Sequence, residues 1–153
     1  MSPSIATNDV DRRVRYAIYQ HTIAHGVVPS TAELGGQLGI TPADVDASLL
    51  RLADRHVIVL APGTTSIWMA HPLSAVPTPY RVETARHTYW ANCAWDVLGI
   101  AALLGVDARS RAICPDCGDT LEVVVENGTA RSTGTRVHFG VGPRRFWENV
   151  GFT

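Results

Sequence analysis

Residues 89–105 of the chain read YWANCAWDVLGIAALLG, and the rest of the sequence is organised around this stretch. Its aromatic start predicts the end of a strand, and the small apolar residues that follow predict a buried helix. Asn92 is a favourable N-cap, and Gly105 is a favourable stop just beyond Leu104. A strand that runs into a buried helix therefore forms the centre of the predicted fold.

Two chemically reactive side chains fall at the start of this helix. Cys93 is expected in the first turn, where free backbone N–H groups and the helix dipole favour a thiolate. Asp96 follows three residues later, which places its carboxylate on the same helix face. A thiol beside a carboxyl group is suited to proton transfer or to binding a soft metal. The same pair also fits a purely structural role, as a small core residue and a first-turn charge.

The composition indicates one or two small globular units in a chain of 153 residues that is 46% hydrophobic. A net charge of −1 predicts no general attraction to nucleic acid or to anionic lipid. No apolar run approaches the roughly 20 residues that span a bilayer, and the N-terminus lacks a signal-peptide pattern. Three cysteines, two of them very close together, favour a reducing compartment, so we expect a cytoplasmic protein.

Residues 1–70 are predicted to form a winged-helix-like helical domain. An amphipathic helix opens it, Ser30–Glu33 fits a capping box for a second helix, and Thr41 caps a third. Two strands are predicted over residues 57–60 and 66–69. Three helices followed by a β-hairpin are typical of a winged helix-turn-helix.

A winged helix commonly binds DNA, so a transcription regulator is one alternative function. Between residues 26 and 62, however, four acidic residues outnumber two arginines. Asp44 and Asp46 fall where a recognition helix would meet phosphate, and their charge would repel it. We therefore interpret this domain as a scaffold or lid, since a fold alone does not define a function.

Residues 71–79 hold three prolines in nine positions and are predicted to be a Pro-rich linker. Residues 80–153 then form the second domain, in which Asn127-Gly128 is a strong turn signal and residues 143–150 suit a short final helix. The predicted strands of this domain cover residues 80–83, 87–90, 109–113, 121–125 and 136–139. The predicted class is α+β, with a small, mostly antiparallel sheet packed on the Cys93 helix.

Cys114 and Cys117 lie in a CPDCG turn between two of these strands. Such a knuckle directs backbone N–H groups at two sulfurs, and zinc ribbons use it in pairs because a tetrahedral site needs four ligands. A metal site here would need two further donors, for example Cys93, His138, His87 or a second chain. A redox pair, or a turn that binds no metal, are the other interpretations.

The Cys-Ala-x-Asp-x-Leu motif at residues 93–98, with Tyr89 before it and a small apolar helix after it, resembles the active-site helix of alkylmercury (organomercurial) lyases. The similarity continues downstream into a Cys-containing hairpin and Val137-His138-Phe139. The resemblance implies an alkylmercury-lyase-like catalytic domain over residues 80–153. It also implies that Cys93 bonds mercury and that Asp96 delivers the proton that cleaves the carbon–mercury bond.

The chain departs from the family pattern at one place. The family has a second cysteine just before the Val-His-Phe segment, where this chain has Gly134, Thr135 and Arg136. One hypothesis is that Cys117 or Cys114 folds back to supply the missing thiol, because soft Hg(II) prefers thiolates. Another is that the scaffold acts on a related, non-mercurial substrate in specialised metabolism.

The sequence therefore predicts a lyase of the alkylmercury-lyase type. The catalytic residues would be Cys93 and Asp96, and the candidate metal ligands are Cys93, Asp96, Cys114 and Cys117. No resident cofactor is expected, and Hg(II) or Zn(II) are the metals that the thiolates would take. The expected partner is a small-molecule substrate, not nucleic acid or a membrane, and a homodimer stays open. The alternatives are a non-catalytic thiol-based heavy-metal binder and the winged-helix regulator.

Overall fold

The computed structural model describes residues 9–132 and 134–151. The chain divides into two compact units, residues 1–70 and residues 71–153, which we call the first and the second unit. Among the described residues, every helix is too short or too polar to cross a lipid bilayer.

The first unit contains three helices and an antiparallel pair of strands. These elements are α1 (Asp9–His25), α2 (Thr31–Leu38), α3 (Pro42–Asp54), β1 (Val59–Leu60) and β2 (Ile67–Ala70). The predicted capping box is confirmed, because the Ser30 side chain accepts from the Glu33 N–H and the Glu33 carboxylate accepts from the Ser30 N–H. Thr41 caps α3 as predicted. The winged-helix assignment itself stays a prediction.

The core of the first unit forms where the apolar faces of the three helices meet the hairpin. Its fully buried members include Val14, Ile18, Leu34, Val45, Leu49, Leu52 and Ile58. Their spacing along α1 and α3 is the i, i+3, i+4 pattern of an amphipathic helix. Burial of these side chains supplies the main stabilising free energy of the unit.

One carboxylate is buried within this core. Asp11 of α1 is 0% exposed, and it accepts hydrogen bonds from Ser48 Oγ at 2.8 Å and Arg51 Nη2 at 2.6 Å. Arg55 Nη1 lies 3.7 Å from the second carboxylate oxygen. The hydrogen bonds from Arg51 hold the pKa of Asp11 below its usual value, although burial opposes them. The two arginines between residues 26 and 62, Arg51 and Arg55, are therefore both paired with Asp11.

The second unit is an antiparallel sheet with one helix packed on it. Its strands are β3 (Leu73–Ser74), β4 (Arg81–Glu83), β5 (Thr88–Ala91), β6 (Ala108–Ile113), β7 (Thr120–Glu126) and β8 (Thr129–Ser132). They follow the order β3-β5-β4-β6-β7-β8, and each described pair is antiparallel. Helix α4 (Ala94–Leu104) contacts β4, β5 and β7, and a 3-10 helix covers Pro143–Glu148. The predicted α+β class, with the sheet packed on the Cys93 helix, is confirmed.

The turn between β7 and β8 forms at Asn127-Gly128, as predicted, but the strand that follows it is not the predicted one. Asn127 and Gly128 have φ values of 51° and 71°, as the two-residue turn predicted from this dipeptide requires. Because the turn is so tight, the chain pairs with β7 at once through Thr129–Ser132. The predicted strand over residues 136–139 is wrong, since these residues form no regular secondary structure.

The segment predicted as a linker, residues 71–79, contains a strand. Leu73 and Ser74 pair with Ala91 and Trp90 of β5. Both residues of this strand are buried, and Ser74 Oγ donates to the Val76 carbonyl. Prolines on either side of residues 73–76 did not prevent two residues from joining the sheet.

Candidate thiol and carboxylate site

The junction between β5 and α4 places the reactive residues. The predicted N-cap at Asn92 is wrong, because Cys93 occupies that position with φ −144° and ψ 176°, and Ala94 is the first helical residue. Asn92 Nδ2 lies 3.3 Å from His71 Nδ1, and Asn92 Oδ1, the atom that would cap a helix, has no hydrogen-bond partner among the described residues. Gly105 ends the helix in the left-handed conformation, as predicted.

Cys93 and Asp96 occupy the N-cap and the third position of α4. The Asp96 N–H donates to the Cys93 carbonyl at 3.1 Å, which closes the first turn between them. The Cys93 thiol makes no capping hydrogen bond and is half-buried. The Asp96 side chain is 18% exposed. Both side chains are therefore partly removed from water at one end of the helix.

The protonation of Cys93 differs from the expectation that the helix start would favour its thiolate. Burial raises the pKa of the Cys93 thiol, and the negative charge of Asp96 raises it further. The backbone N–H groups of Asp96 and Trp95 act in the opposite direction but do not compensate. The expectation is wrong because it considered the helix dipole without the desolvation of the sulfur.

His71 is a third polar residue at this junction, and the sequence reasoning did not assign it to the site. Its Nδ1 lies 4.0 Å from Asp96 Oδ2, and its ring meets the ring of Trp147 edge-on at 6.0 Å between centroids. A side chain added at Gly99 would place its Cβ 3.0 Å from Pro72 Cβ, so α4 approaches the segment after His71 closely. No spacing in the sequence signals this contact, because His71 and Asp96 belong to elements far apart in the chain.

A cavity of about 610 Å³ lies in the second unit. Its walls come from the first turn of α4, from β6 and β7, and from the chain around residues 114–116 and 135–138. The lining residues are Tyr80, Ala94, Val97, Ser110, Ala112, Ile113, Cys114, Pro115, Asp116, Leu121, Val123, Thr135, Arg136, Val137 and His138. Cys93 and Asp96 are not part of this lining. They are instead the residues directly before Ala94 and Val97, which do line it.

The CPDC turn is a closed knuckle. The Cys114 N–H donates to the Asp119 carbonyl at 2.8 Å, and Gly118 N–H donates to the Cys114 carbonyl at 2.9 Å. The N–H groups of Cys117 and Asp116 hold the pKa of the Cys114 thiol below its usual value. Cys117 Sγ donates to Asp119 Oδ2 at 3.3 Å.

The candidate metal ligands do not gather into one cluster. All three cysteines are free thiols. Within residues 9–132 and 134–151, no three His, Cys, Asp or Glu side chains come together as a metal site would require. Of the two histidines named as further donors, His138 lines the cavity, whereas His87 packs edge-on against Tyr89.

These features define an α+β protein with a half-buried thiol and a carboxyl group at the start of a helix on an antiparallel sheet. The family model described as "MerB: Alkylmercury lyase" matches residues 73–153. The chain therefore belongs to the alkylmercury lyase family, as the resemblance of residues 93–98 predicted.

Comparison with solved structures gives a similar result. The crystal structure of the mercury-bound form of MerB2 has 26% sequence identity and a TM-score of 0.67 with this chain. The match covers 84% of this chain and 62% of that one, so the chain spans less than two thirds of the length of this relative. Comparison with curated proteins gives no match.

The raised pKa of Cys93 leads to a testable order of reactivity. We expect iodoacetamide to alkylate Cys93 more slowly than Cys114 at neutral pH, because the pKa of Cys93 is raised and that of Cys114 is lowered. The Cys93 rate should rise with pH until the pH exceeds its raised pKa. In Asp96→Asn, the Cys93 profile should move to lower pH, because the neighbouring charge is gone. Mass spectrometry of the alkylated peptides measures each cysteine separately.

The matched control is Asp116→Asn. Its charge acts on Cys114, so this change should move the Cys114 profile and leave that of Cys93 in place. An unchanged Cys93 profile in Asp96→Asn would show that the carboxyl group does not act on the thiol.

Proposed function

We propose that this protein is an alkylmercury lyase in which Cys93 binds the mercury of the substrate and Asp96 supplies the proton. Family membership supports the class of reaction. The observation that carries the assignment to residues is one thiol at the N-cap and one carboxyl group at the third position of α4, inside the segment that matches the family.

The proposed reaction balances with these two groups. As the Cys93 sulfur bonds the mercury of an R–Hg⁺ substrate and forms Cys93–S–Hg–R, the thiol proton passes to the Asp96 carboxylate, which becomes a carboxylic acid. The Asp96 carboxyl group then transfers its proton to the carbon, the carbon–mercury electron pair goes to that carbon, and R–H leaves. Mercury stays on the sulfur as Hg(II), and Asp96 becomes a carboxylate. His71, 4.0 Å from that carboxyl group, is placed to orient it.

A second thiolate would hold the Hg(II) product more firmly, because this soft ion prefers sulfur. Of the two candidates, we favour Cys114. Cys114 lines the same cavity as Thr135 and as Ala94, the residue that follows Cys93, whereas Cys117 does not line it. The lowered pKa of Cys114 also makes its thiolate more available. The Cys114 thiolate would bond the mercury as the proton reaches the carbon. The Hg(II) product would then be held by the sulfurs of Cys93 and Cys114.

Single cysteine variants test this choice. After reaction with phenylmercury, Cys114→Ser should retain Hg(II) at least about 10-fold less well than the unmodified protein, since even outer partners of a metal site are worth 10–100-fold in affinity. Cys117→Ser should have the smaller effect. Competition with a thiol chelator, followed by mercury analysis of the protein, measures retention. A larger loss of Hg(II) retention in Cys117→Ser than in Cys114→Ser would assign the second thiol to Cys117. Full retention in both variants would show that neither cysteine of the CPDC turn holds the Hg(II) product.

The decisive experiment is mass spectrometry of the protein with phenylmercury, combined with analysis of released benzene. An organomercury adduct on Cys93 together with benzene supports the lyase. An adduct without benzene would support a thiol-based heavy-metal binder or an enzyme for a related non-mercurial substrate. No adduct, with a salt-sensitive shift of promoter DNA in a gel, would support the regulator.

A further inference from the structure

We infer that the cavity of about 610 Å³ binds a small, neutral organic molecule that carries one hydrogen-bond acceptor, such as an aryl ketone or ester. In the lyase, it would receive the organic group that is attached to mercury. That last role rests on the proposed function, but the binding site itself does not.

The dimensions and walls of the cavity suit such a ligand. Pockets for small molecules typically enclose about 300–1,000 Å³ and are lined mainly by apolar side chains. Here the walls are provided by Val97 of α4, by Ala112 of β6, and by Leu121 and Val123 of β7. A molecule with one aromatic ring would remove much of this apolar surface from water.

One polar atom in the lining lacks a hydrogen-bond partner. Thr135 Oγ1 is buried and makes no hydrogen bond within the described part of the chain. Buried hydroxyl groups are almost always hydrogen-bonded, and an unpaired one destabilises the structure that contains it. An acceptor on the ligand, such as a carbonyl oxygen, would receive the Thr135 hydroxyl proton.

The charges around the cavity favour a neutral ligand over an ionic one. Arg136 and Asp116 both line it, so the lining carries side chains of opposite sign. A ligand of either charge would approach one attractive and one repulsive group. A neutral molecule is not repelled by either side chain, and its transfer from water into an apolar space costs less free energy than that of an ion.

The cavity also lies next to the reactive pair. Ala94 and Val97 line it, and each directly follows one of the two proposed catalytic residues, Cys93 and Asp96. Ala94 and Val97 lie three residues apart and share one face of the helix start, and Cys93 and Asp96 lie about 100° around the helix axis from them, so the cavity and the reactive pair are at the same turn of the chain. An organic group on mercury bound to Cys93 would be within reach of this space.

Two mercury-free probes test the inference with the 153-residue protein. Acetophenone and ethylbenzene have similar shapes, but only acetophenone has a carbonyl acceptor. We expect acetophenone to bind more tightly, as measured by chemical-shift titration in NMR. Thr135→Val should weaken acetophenone about 10-fold, the upper range for one hydrogen bond, and leave ethylbenzene unchanged. Ala112→Phe should fill the space and abolish binding of both probes.

Two exposed residues of β8 that do not line the cavity, Thr129 and Ala130, provide matched controls. Thr129→Val and Ala130→Phe should bind both probes as the unmodified protein does. Unchanged binding in Ala112→Phe would overturn the inference. Because Ala112→Phe could fail by unfolding, the nearly isosteric Thr135→Val provides an independent criterion: equal loss of both probes, or no loss of acetophenone, would also overturn it.

The phenylmercury assay separates this inference from the proposed function. Probe binding that is blocked by Ala112→Phe supports the site even if no benzene is released, in which case only the lyase assignment fails. Benzene release without specific probe binding would leave the lyase standing and overturn the cavity as its organic-group site.

Discussion

Cys93→Ser is expected to lose phenylmercury turnover by a factor on the order of 10³ or more, the scale at which removal of a nucleophile acts in other enzymes. A serine hydroxyl does not ionise near neutral pH and is a hard oxygen donor, whereas mercury is soft and prefers a thiolate. The variant should therefore lose both the organomercury adduct and the benzene. Mass spectrometry detects the adduct, and gas chromatography measures benzene.

Asp96→Asn separates the two steps of the same reaction. The thiol remains, so the adduct on Cys93 should still form. Benzene release should fall about 10²-fold or more, the typical contribution of a positioned general acid. Asp54→Asn, at the end of α3 in the first unit, is the matched control and should release benzene at the unmodified rate. Full benzene release in Asp96→Asn would exclude the proposed proton donor.

The second large effect concerns stability. Asp11→Ala should lower the free energy of unfolding of the first unit by an amount near the lower end of about 3–5 kcal/mol, the cost of breaking a buried ion pair. The change leaves Ser48 and Arg51 without their acceptor, and it removes the carboxylate charge 3.7 Å from Arg55. The lower end applies because the Arg51 side chain is 41% exposed and water can replace part of the lost contact. Urea unfolding followed by circular dichroism measures the difference.

Asp9→Ala is the matched control on the same helix. Asp9 pairs with Arg12, but both side chains are mostly exposed, at 64% and 76%, so the change should cost less than about 1 kcal/mol. The dependence on pH provides a further check. Because the folded pKa of Asp11 lies below its usual value of 3.8, the stabilisation is present above that value and is lost as pH falls through the folded pKa. An equal free energy of unfolding for Asp11→Ala and Asp9→Ala at pH 7 would contradict a stabilising role for Asp11.

The successes of sequence interpretation share one property, which is that their signals are short-range. The capping box of Ser30 and Glu33, the stop at Gly105 and the Asn127-Gly128 turn each depend on residues at most a few positions apart. The motif at residues 93–98 is equally local, and it was sufficient to indicate the family.

The errors arose where packing or a neighbouring charge outweighed a local preference. Asn92 is a good N-cap by residue type, but the helix begins one residue later, with Cys93 at the cap position. The helix dipole favours a thiolate at Cys93, but burial and the Asp96 charge outweigh it. Residues 136–139 have strand-forming side chains, but β7 already pairs with β8 on one side and β6 on the other.

The sequence by itself determined the order of helices and turns, the class of the fold, and the membership of the family. Backbone caps, two-residue turns and apolar periodicity are satisfied within a few residues, so they can be recognised without the rest of the molecule. Only the tertiary structure decided that Asp11 is buried against two arginines, that His71 lies beside Asp96, and that Cys114 and Thr135 line one cavity. These contacts join elements far apart in the chain, and the burial that sets their strength exists only once those elements have packed.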